Sequence, residues 1–126
     1  MPEFYYPELS KIIVDLAFKV HTVLGPGLLE SCYESCLEYE LKKQNLSVRR
    51  QVSFPIIYDG IVLPDSYKID LLIEDKIILE LKSVDAITEI HFKQLLTYLR
   101  LCDKKVGYLM NFNVPSFKNG FYRKVV

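Results

Sequence analysis

The spacing of apolar residues predicts two helices in the first third of the chain. From Pro7 onward, apolar residues recur every three or four positions, which indicates a helix that begins at the proline and ends at Gly25-Pro26-Gly27. A second helix is predicted from about Leu28 to Gln44. Its expected apolar face comprises Leu29, Cys32, Tyr33, Cys36, Leu37 and Leu41.

The rest of the chain is rich in β-branched and aromatic residues, with one helical interruption at Thr88–Leu101. Tyr67–Ile73 and Ile77–Lys82 are nearly continuous apolar runs, which is typical of strands covered on both faces. Pro64 is expected to interrupt a short strand, because proline has no N–H for a strand ladder. The predicted strands are Val48–Tyr58, Ile61–Leu63, Tyr67–Ile73, Ile77–Lys82, Val106–Phe112 and an edge strand at Phe121–Val126.

The order of these elements is helix, helix, several strands, helix, strand. Most strands precede the last helix, which argues against a simple βαβ repeat. The pattern therefore predicts an α/β fold in which helices pack on a mixed sheet. A length of 126 residues fits one domain over residues 1–126.

Charge and cysteine content narrow the setting. The chain has 16 basic and 16 acidic residues, so any binding of nucleic acid must come from a local patch rather than from net charge. Three cysteines without a C-x-x-C pair favour reduced thiols and a cytoplasmic location. No signal peptide is expected, since the chain does not start with basic residues followed by an apolar run. No membrane-spanning run is expected, since no stretch reaches about 18 apolar residues.

Charged residues that could share one face interrupt the two most apolar strands. Asp70 lies in one, and Glu80 and Lys82 lie in the next. Such positions are costly for charges unless they are paired or bind a metal. If the turn between the strands centres on Asp75, Asp70 lies opposite Glu80 with Cβ atoms about 5 Å apart. Lys82 then projects from the same face.

This arrangement has a catalytic and a structural interpretation. Two adjacent carboxylates repel each other, and a hard divalent cation such as magnesium between them relieves that conflict. Such a metal polarises a phosphoryl oxygen, while Lys82 orients the attacking water or stabilises the developing charge. The alternative is a salt-bridged cluster of Asp70, Glu80 and Lys82 that only fixes strand register.

The spacing of Asp70 and Glu80-Leu81-Lys82 resembles the core of the PD-(D/E)XK nuclease superfamily. That resemblance implies a restriction-endonuclease-like αβββαβ core, with Asp70 and Glu80 binding Mg²⁺ or Mn²⁺ and Lys82 taking part in phosphodiester hydrolysis. Ile69 stands where the motif has proline. Pro64-Asp65 offers a literal match, but it is predicted near a loop and out of register with Glu80.

A second resemblance covers most of the chain. Gly27-Leu28-Leu29-Glu30-Ser31-Cys32-Tyr33 fits the motif of the GxxExxY protein family, and His21–Phe112 resembles that family throughout. The resemblance implies Glu30 as a further metal ligand, against the alternative of a favourable charge at a helix N-terminus. Glu34, on the same helix face, is a weaker candidate.

Gln94 and Tyr98 lie four residues apart on the third predicted helix and therefore face the same way. They resemble the Gln-x-x-x-Tyr element of RecB-type nucleases, which implies contact with DNA. The alternative is a core tyrosine beside a surface glutamine. His91, one turn earlier, is a weaker candidate on this face.

Taken together, these observations favour a divalent-metal-dependent nuclease acting on nucleic acid, with DNA preferred over RNA. A non-catalytic binding or regulatory module on the same fold is the main alternative. A homodimer or a protein partner that supplies substrate recognition remains open, because the chain has little room for a separate recognition domain.

Overall fold

The computed structural model describes residues 5–126, apart from the side chains of residues 65 and 66. The order of elements follows the predicted order. The elements are α1 (Pro7–Leu24), α2 (Glu30–Lys43), β1 (Val48–Tyr58), β2 (Ile61–Ile73), β3 (Ile77–Lys82), α3 (Glu89–Leu101), β4 (Val106–Asn111), a 3₁₀ turn (Phe117–Asn119) and β5 (Phe121–Val125).

The described strands form one mixed sheet in the order β1-β2-β3-β4-β5. Neighbouring strands are antiparallel except β3 and β4, which are parallel and are joined by α3 as a crossover helix. The predicted α/β class is therefore confirmed, and β5 is the edge strand expected at the end of the chain.

Two apolar cores cover the two faces of the sheet. Side chains of α1 and α2, such as Ile13 and Leu37, pack on one face. Leu95 and Leu99 of α3 pack on the other. Gly107 of β4 permits this close approach, because a Cβ there would lie 2.8 Å from Cδ1 of Leu95. β3 is buried on both faces, as its continuous apolar run predicts.

The predicted break at Pro64 is wrong, because β2 runs without interruption from Ile61 to Ile73. The register of β1 and β2 shifts between Phe54 and Ile56. This bulge interrupts the regular ladder beside the proline, so its missing N–H is tolerated there.

Part of the predicted apolar face of the second helix is also wrong. Leu29 is 74% exposed, and Cys32 is exposed. Leu29 precedes the first residue of α2, so it lies where the helix begins. Within residues 5–126, no helix combines the length and the apolar character needed to cross a bilayer.

Candidate active site

The hairpin of β2 and β3 has the register that the sequence predicts. Ile73 pairs with Ile77 and Leu71 with Leu79, and continuing this register sets Asp70 opposite Glu80. The connecting turn is closed by a 2.9 Å hydrogen bond from Lys76 N to Ile73 O.

Each carboxylate of this pair accepts a hydrogen bond from the backbone of the opposite strand. The N–H of Asp70 donates to Oε2 of Glu80 at 3.1 Å, and the N–H of Leu81 donates to Oδ2 of Asp70 at 2.8 Å. The two side chains therefore lie on one patch, and each is held by the backbone of the strand opposite its own.

Burial makes this carboxylate pair difficult to ionise. Glu80 is only 4% exposed, and burial together with the charge of Asp70 raises the pKa of Glu80 to about 8. Burial also raises the pKa of Asp70, and the charge of Glu34 adds to the effect. A cation between the two groups would favour their charged forms.

Lys82 lies two residues after Glu80 on β3 and is half-buried. Its charge lowers the pKa of both Asp70 and Glu80, although this effect is smaller than that of burial. Among the side chains that the structure describes, no salt bridge joins Lys82 to a carboxylate. The salt-bridged cluster considered as the structural alternative is therefore not formed.

A polar network that the sequence did not indicate connects this pair to α2. Nε2 of Gln51 donates to both oxygens of Glu34, at 2.9 and 3.1 Å, and to Oδ1 of Asp70 at 3.2 Å. Glu34 is buried and forms a salt bridge with Arg50. Arg50 pairs with Leu71 and Val52 with Ile69, so Gln51 lies opposite Asp70. This register of β1 on β2 is the signal that would have identified Gln51 as a neighbour of the pair.

Residues 7–124 match the family model described as the PD-(D/E)XK nuclease superfamily. The chain belongs to this superfamily. No curated protein and no solved structure gives a significant match. The restriction-endonuclease-like αβββαβ arrangement expected from the resemblance agrees with the observed order of elements.

PD-(D/E)XK nucleases generally use divalent metals, and the donors present in this chain fit one. Within residues 5–126, the side chains of residues 65 and 66 apart, no three His, Cys, Asp or Glu side chains form a metal-binding group. Mg²⁺ needs no such group, since it binds through one or two carboxylates and completes its shell with water and substrate phosphates. Asp70 and Glu80 supply that number of carboxylates.

Glu30 and Glu34, the two candidate metal ligands on α2, differ in their surroundings. Glu30, the first residue of the helix, is exposed, and its Oε2 accepts a hydrogen bond from the N–H of Ser83 at 3.3 Å. Ser83 directly follows Lys82, the last residue of β3, so Glu30 lies beside the end of that strand. Glu34, the weaker candidate in the sequence, is the one that Gln51 links to Asp70. A metal-ligand role for Glu30 stays a prediction, and the side chain of Asp65 lies outside the described residues.

Gln94 and Tyr98 of α3 also belong to the surroundings of the carboxylates. Nε2 of Gln94 donates to the hydroxyl of Tyr98 at 2.9 Å, and the Tyr98 ring stacks on Tyr67 with centroids 4.5 Å apart. Burial raises the pKa of Tyr98, and the charges of Glu80 and Asp70 contribute. Tyr98 therefore lies close enough to the acidic pair for the charges of both carboxylates to affect it, and Gln94 is joined to it by a hydrogen bond. Their contact with DNA stays a prediction.

His91 has a structural role in α3. The N–H of Thr88 donates to Nδ1 of His91 at 3.0 Å, which forms one half of a capping box at the helix N-terminus. This contact accounts for the histidine without a part in the site.

Proposed function

We propose that this protein is a magnesium- or manganese-dependent nuclease that hydrolyses phosphodiester bonds of DNA. The observation that carries the proposal is a pair of adjacent carboxylates, buried Glu80 and half-buried Asp70, beside a lysine that forms no salt bridge with any described side chain. Such a pair is unfavourable for stability alone and suits a cation-binding site. We also propose that the chain is one domain and a member of the GxxExxY family, on the motif at Gly27–Tyr33.

The roles follow from the positions of the side chains. Asp70 and Glu80 would hold the metal, with Glu30 as a further ligand at the end of β3. When bound there, a divalent cation would supply Lewis acidity toward water and the scissile phosphate. Lys82 orients the attacking water or stabilises the charge that develops as water adds to phosphorus and the P–O ester bond breaks.

Gln94 and Tyr98 extend the site along α3 and are proposed to contact DNA. Exposed Lys93, which pairs with exposed Glu89 at 3.3 Å, lies one residue before Gln94 and is proposed to exchange this surface pair for a phosphate. Because the chain has no net charge, binding rests on few such contacts and should be modest. This neutrality is also the observation that favours the second candidate function, a non-catalytic binding or regulatory module.

The far end of the β1–β2 hairpin supports a protein partner, and we propose a second copy of this chain. Ile57, Tyr58, Ile61, Val62 and Leu63 are 45–71% exposed there. Ile57 pairs with Val62 and Tyr58 pairs with Ile61, so both faces of this end carry exposed apolar side chains. The only charged residue between Phe54 and Leu63 is Asp59, so this surface lacks the cations that nucleic acid needs and suits self-association.

Replacing Lys82 separates the enzyme from the structural alternative. In Lys82→Ala, Mn²⁺-dependent cleavage of a DNA substrate should fall by about a hundredfold to a thousandfold, as expected for loss of a group that stabilises transition-state charge. Metal binding and the melting temperature should change little. The measurement is cleavage of single-stranded, double-stranded and branched DNA and of RNA with each metal.

The matched control is Lys68→Ala, which removes an exposed lysine from the same hairpin. A purely structural Lys82 predicts a different result, namely a loss of about 3–5 kcal/mol of stability when the buried charges lose their partner. Wild-type protein that is inert on every substrate, beside a Lys82→Ala variant that melts far earlier, would contradict the nuclease.

A further inference from the structure

Gln51 has a backbone conformation that the rest of β1 does not share. Its φ is +52°, in the left-handed region that residues other than glycine rarely adopt. The flanking residues pair regularly with β2, Arg50 with Leu71 and Val52 with Ile69, whereas Gln51 and Asp70 between them are not paired in the ladder. The strand is therefore distorted at the one position that faces the predicted metal ligand Asp70.

The Gln51 side chain completes the support of the Asp70 carboxylate. Oδ2 of Asp70 accepts from the N–H of Leu81 at 2.8 Å, and Oδ1 accepts from Nε2 of Gln51 at 3.2 Å. Both oxygens are thus held, one by the backbone of β3 and the other by a side chain of β1. Each oxygen retains a lone pair for a metal.

Gln51 is itself held by an anchored group. It donates to both oxygens of Glu34, which is 5% exposed and forms a salt bridge with Arg50. Arg50 in turn donates to Oγ of Ser35 at 2.9 Å and pairs with Glu38 at 3.3 Å. The position of Asp70 is therefore tied to α2 through a continuous set of hydrogen bonds.

The residue type matters as much as the position. A glutamine amide donates to two carboxylates without adding charge. Lysine or arginine at this point would neutralise Asp70 and compete with a metal for it. Gln51 orients the carboxylate and leaves its need for a cation intact.

We propose that Gln51 is a positioning residue for metal binding, which fixes the orientation of the Asp70 carboxylate by tying it to the Arg50-anchored Glu34. The strained backbone is retained because it directs the amide to both carboxylates. This inference rests on the proposed nuclease function, since it assigns Gln51 to the same metal site.

The test is Mn²⁺ binding to the full chain, measured by calorimetric titration in wild type, Gln51→Ala and Gln51→Gly. Both variants should bind Mn²⁺ about tenfold more weakly or worse, as is typical when a partner of a metal ligand is lost. Gln51→Gly should melt no lower than Gln51→Ala, because glycine adopts positive φ without strain. Since Gln51 is exposed, both variants should fold.

Two further variants define the result. Gln51→Lys should weaken Mn²⁺ binding at least as much as Gln51→Ala, because its ammonium competes for Asp70. Gln44→Ala, which removes an exposed glutamine at the end of α2, should bind as wild type does. A role confined to the fold predicts changes in melting temperature with unchanged Mn²⁺ affinity.

The outcomes separate this inference from the function it rests on. Wild type that binds Mn²⁺, with Gln51→Ala and Gln51→Gly binding equally well, overturns the role of Gln51 and leaves the nuclease proposal standing. Wild type that binds no Mn²⁺ overturns both. Weaker binding by Gln51→Gly at an unchanged melting temperature supports the positioning role.

Discussion

β2 departs from the usual burial of apolar and exposure of charged side chains in opposite ways at its two ends. At one end, Asp70 is packed against Glu80, and both carboxylates are largely removed from water. At the other end, Ile61 and Val62 are each 58% exposed, although they are apolar. A buried charge and an exposed apolar patch are both unfavourable for an isolated chain.

The difference between the two ends teaches what each one lacks. The Asp70 end has too little positive charge. The charge of Lys82 does not offset the effect of burial, so the pKa of Glu80 stays raised. At the Ile61 end, no other part of the described chain covers the apolar side chains. The neighbouring strand β1 is also an edge strand of the sheet. We infer that the first end is completed by a metal and nucleic acid and the second by another protein surface.

The largest expected effect concerns Glu80 in the absence of metal. Because its pKa is raised to about 8, the folded protein keeps a proton that the unfolded chain loses above the ordinary pKa of glutamic acid. Its contribution to stability is therefore full below that ordinary value and is lost as the pH rises to about 8. The slope is at most about 1.4 kcal/mol per pH unit.

Melting temperatures in EDTA from about pH 5 to about pH 8 would measure this loss. Glu80→Gln should flatten the dependence, since a neutral amide replaces the titrating group. Added Mg²⁺ should restore wild type at the upper end and leave Glu80→Gln almost unchanged. An equally steep dependence in Glu80→Gln would remove the contrast between the two ends of β2.

An intermediate effect, on metal affinity, is expected for replacement of Glu30. It tests whether the metal site at the Asp70 end of β2 extends onto α2. Glu30→Gln should weaken Mn²⁺ binding by about tenfold or more, because even outer-shell partners of a metal contribute that much. Folding should be almost intact, since the side chain is exposed.

Glu8→Gln is the matched control, because Glu8 is also an exposed acid in the first turn of a helix. Calorimetric titration of both variants distinguishes a ligand from a helix-dipole charge. Equal Mn²⁺ affinity in wild type and Glu30→Gln would confine the metal site to the hairpin.

The hairpin was predicted correctly because the residues that define it lie close together in the sequence. Ile73 and Ile77 flank a short turn, so the apolar runs and the turn together define the pairing of Asp70 and Glu80. The predicted roles of Asp70, Glu80, Lys82, Gln94 and Tyr98 stay predictions until they are measured.

The network around Gln51 was beyond the sequence because its information is not local. It depends on the pairing of β1 with β2, which passes a shift in register between Phe54 and Ile56. It also depends on the packing of Glu34, 17 residues away, against the start of β1. The exposure of Leu29 was missed for a related reason, since apolar spacing does not reveal where a neighbouring layer of structure ends.

The smallest effect on stability is expected at the apolar end of the hairpin. Ile57→Lys should change the free energy of unfolding by no more than about 0.5 kcal/mol, because the side chain is 70% exposed. It should also convert a dimer to a monomer in sedimentation velocity. Val23→Lys on α1, where Val23 is 73% exposed, is the control and should leave the association state unchanged. A wild-type monomer at all concentrations would contradict the self-association proposed for this end.

The short turn between β2 and β3 has a consequence for the order of folding. Residues 70 and 80 are separated by one tight connection, so little chain entropy is lost when they meet. The parallel pairing of β3 with β4 must wait for the whole of α3 to cross the sheet, and Gln94 and Tyr98 arrive with that helix. We therefore expect the acidic pair to form early as local structure, and the part of the site on α3 to be added in a later and slower step.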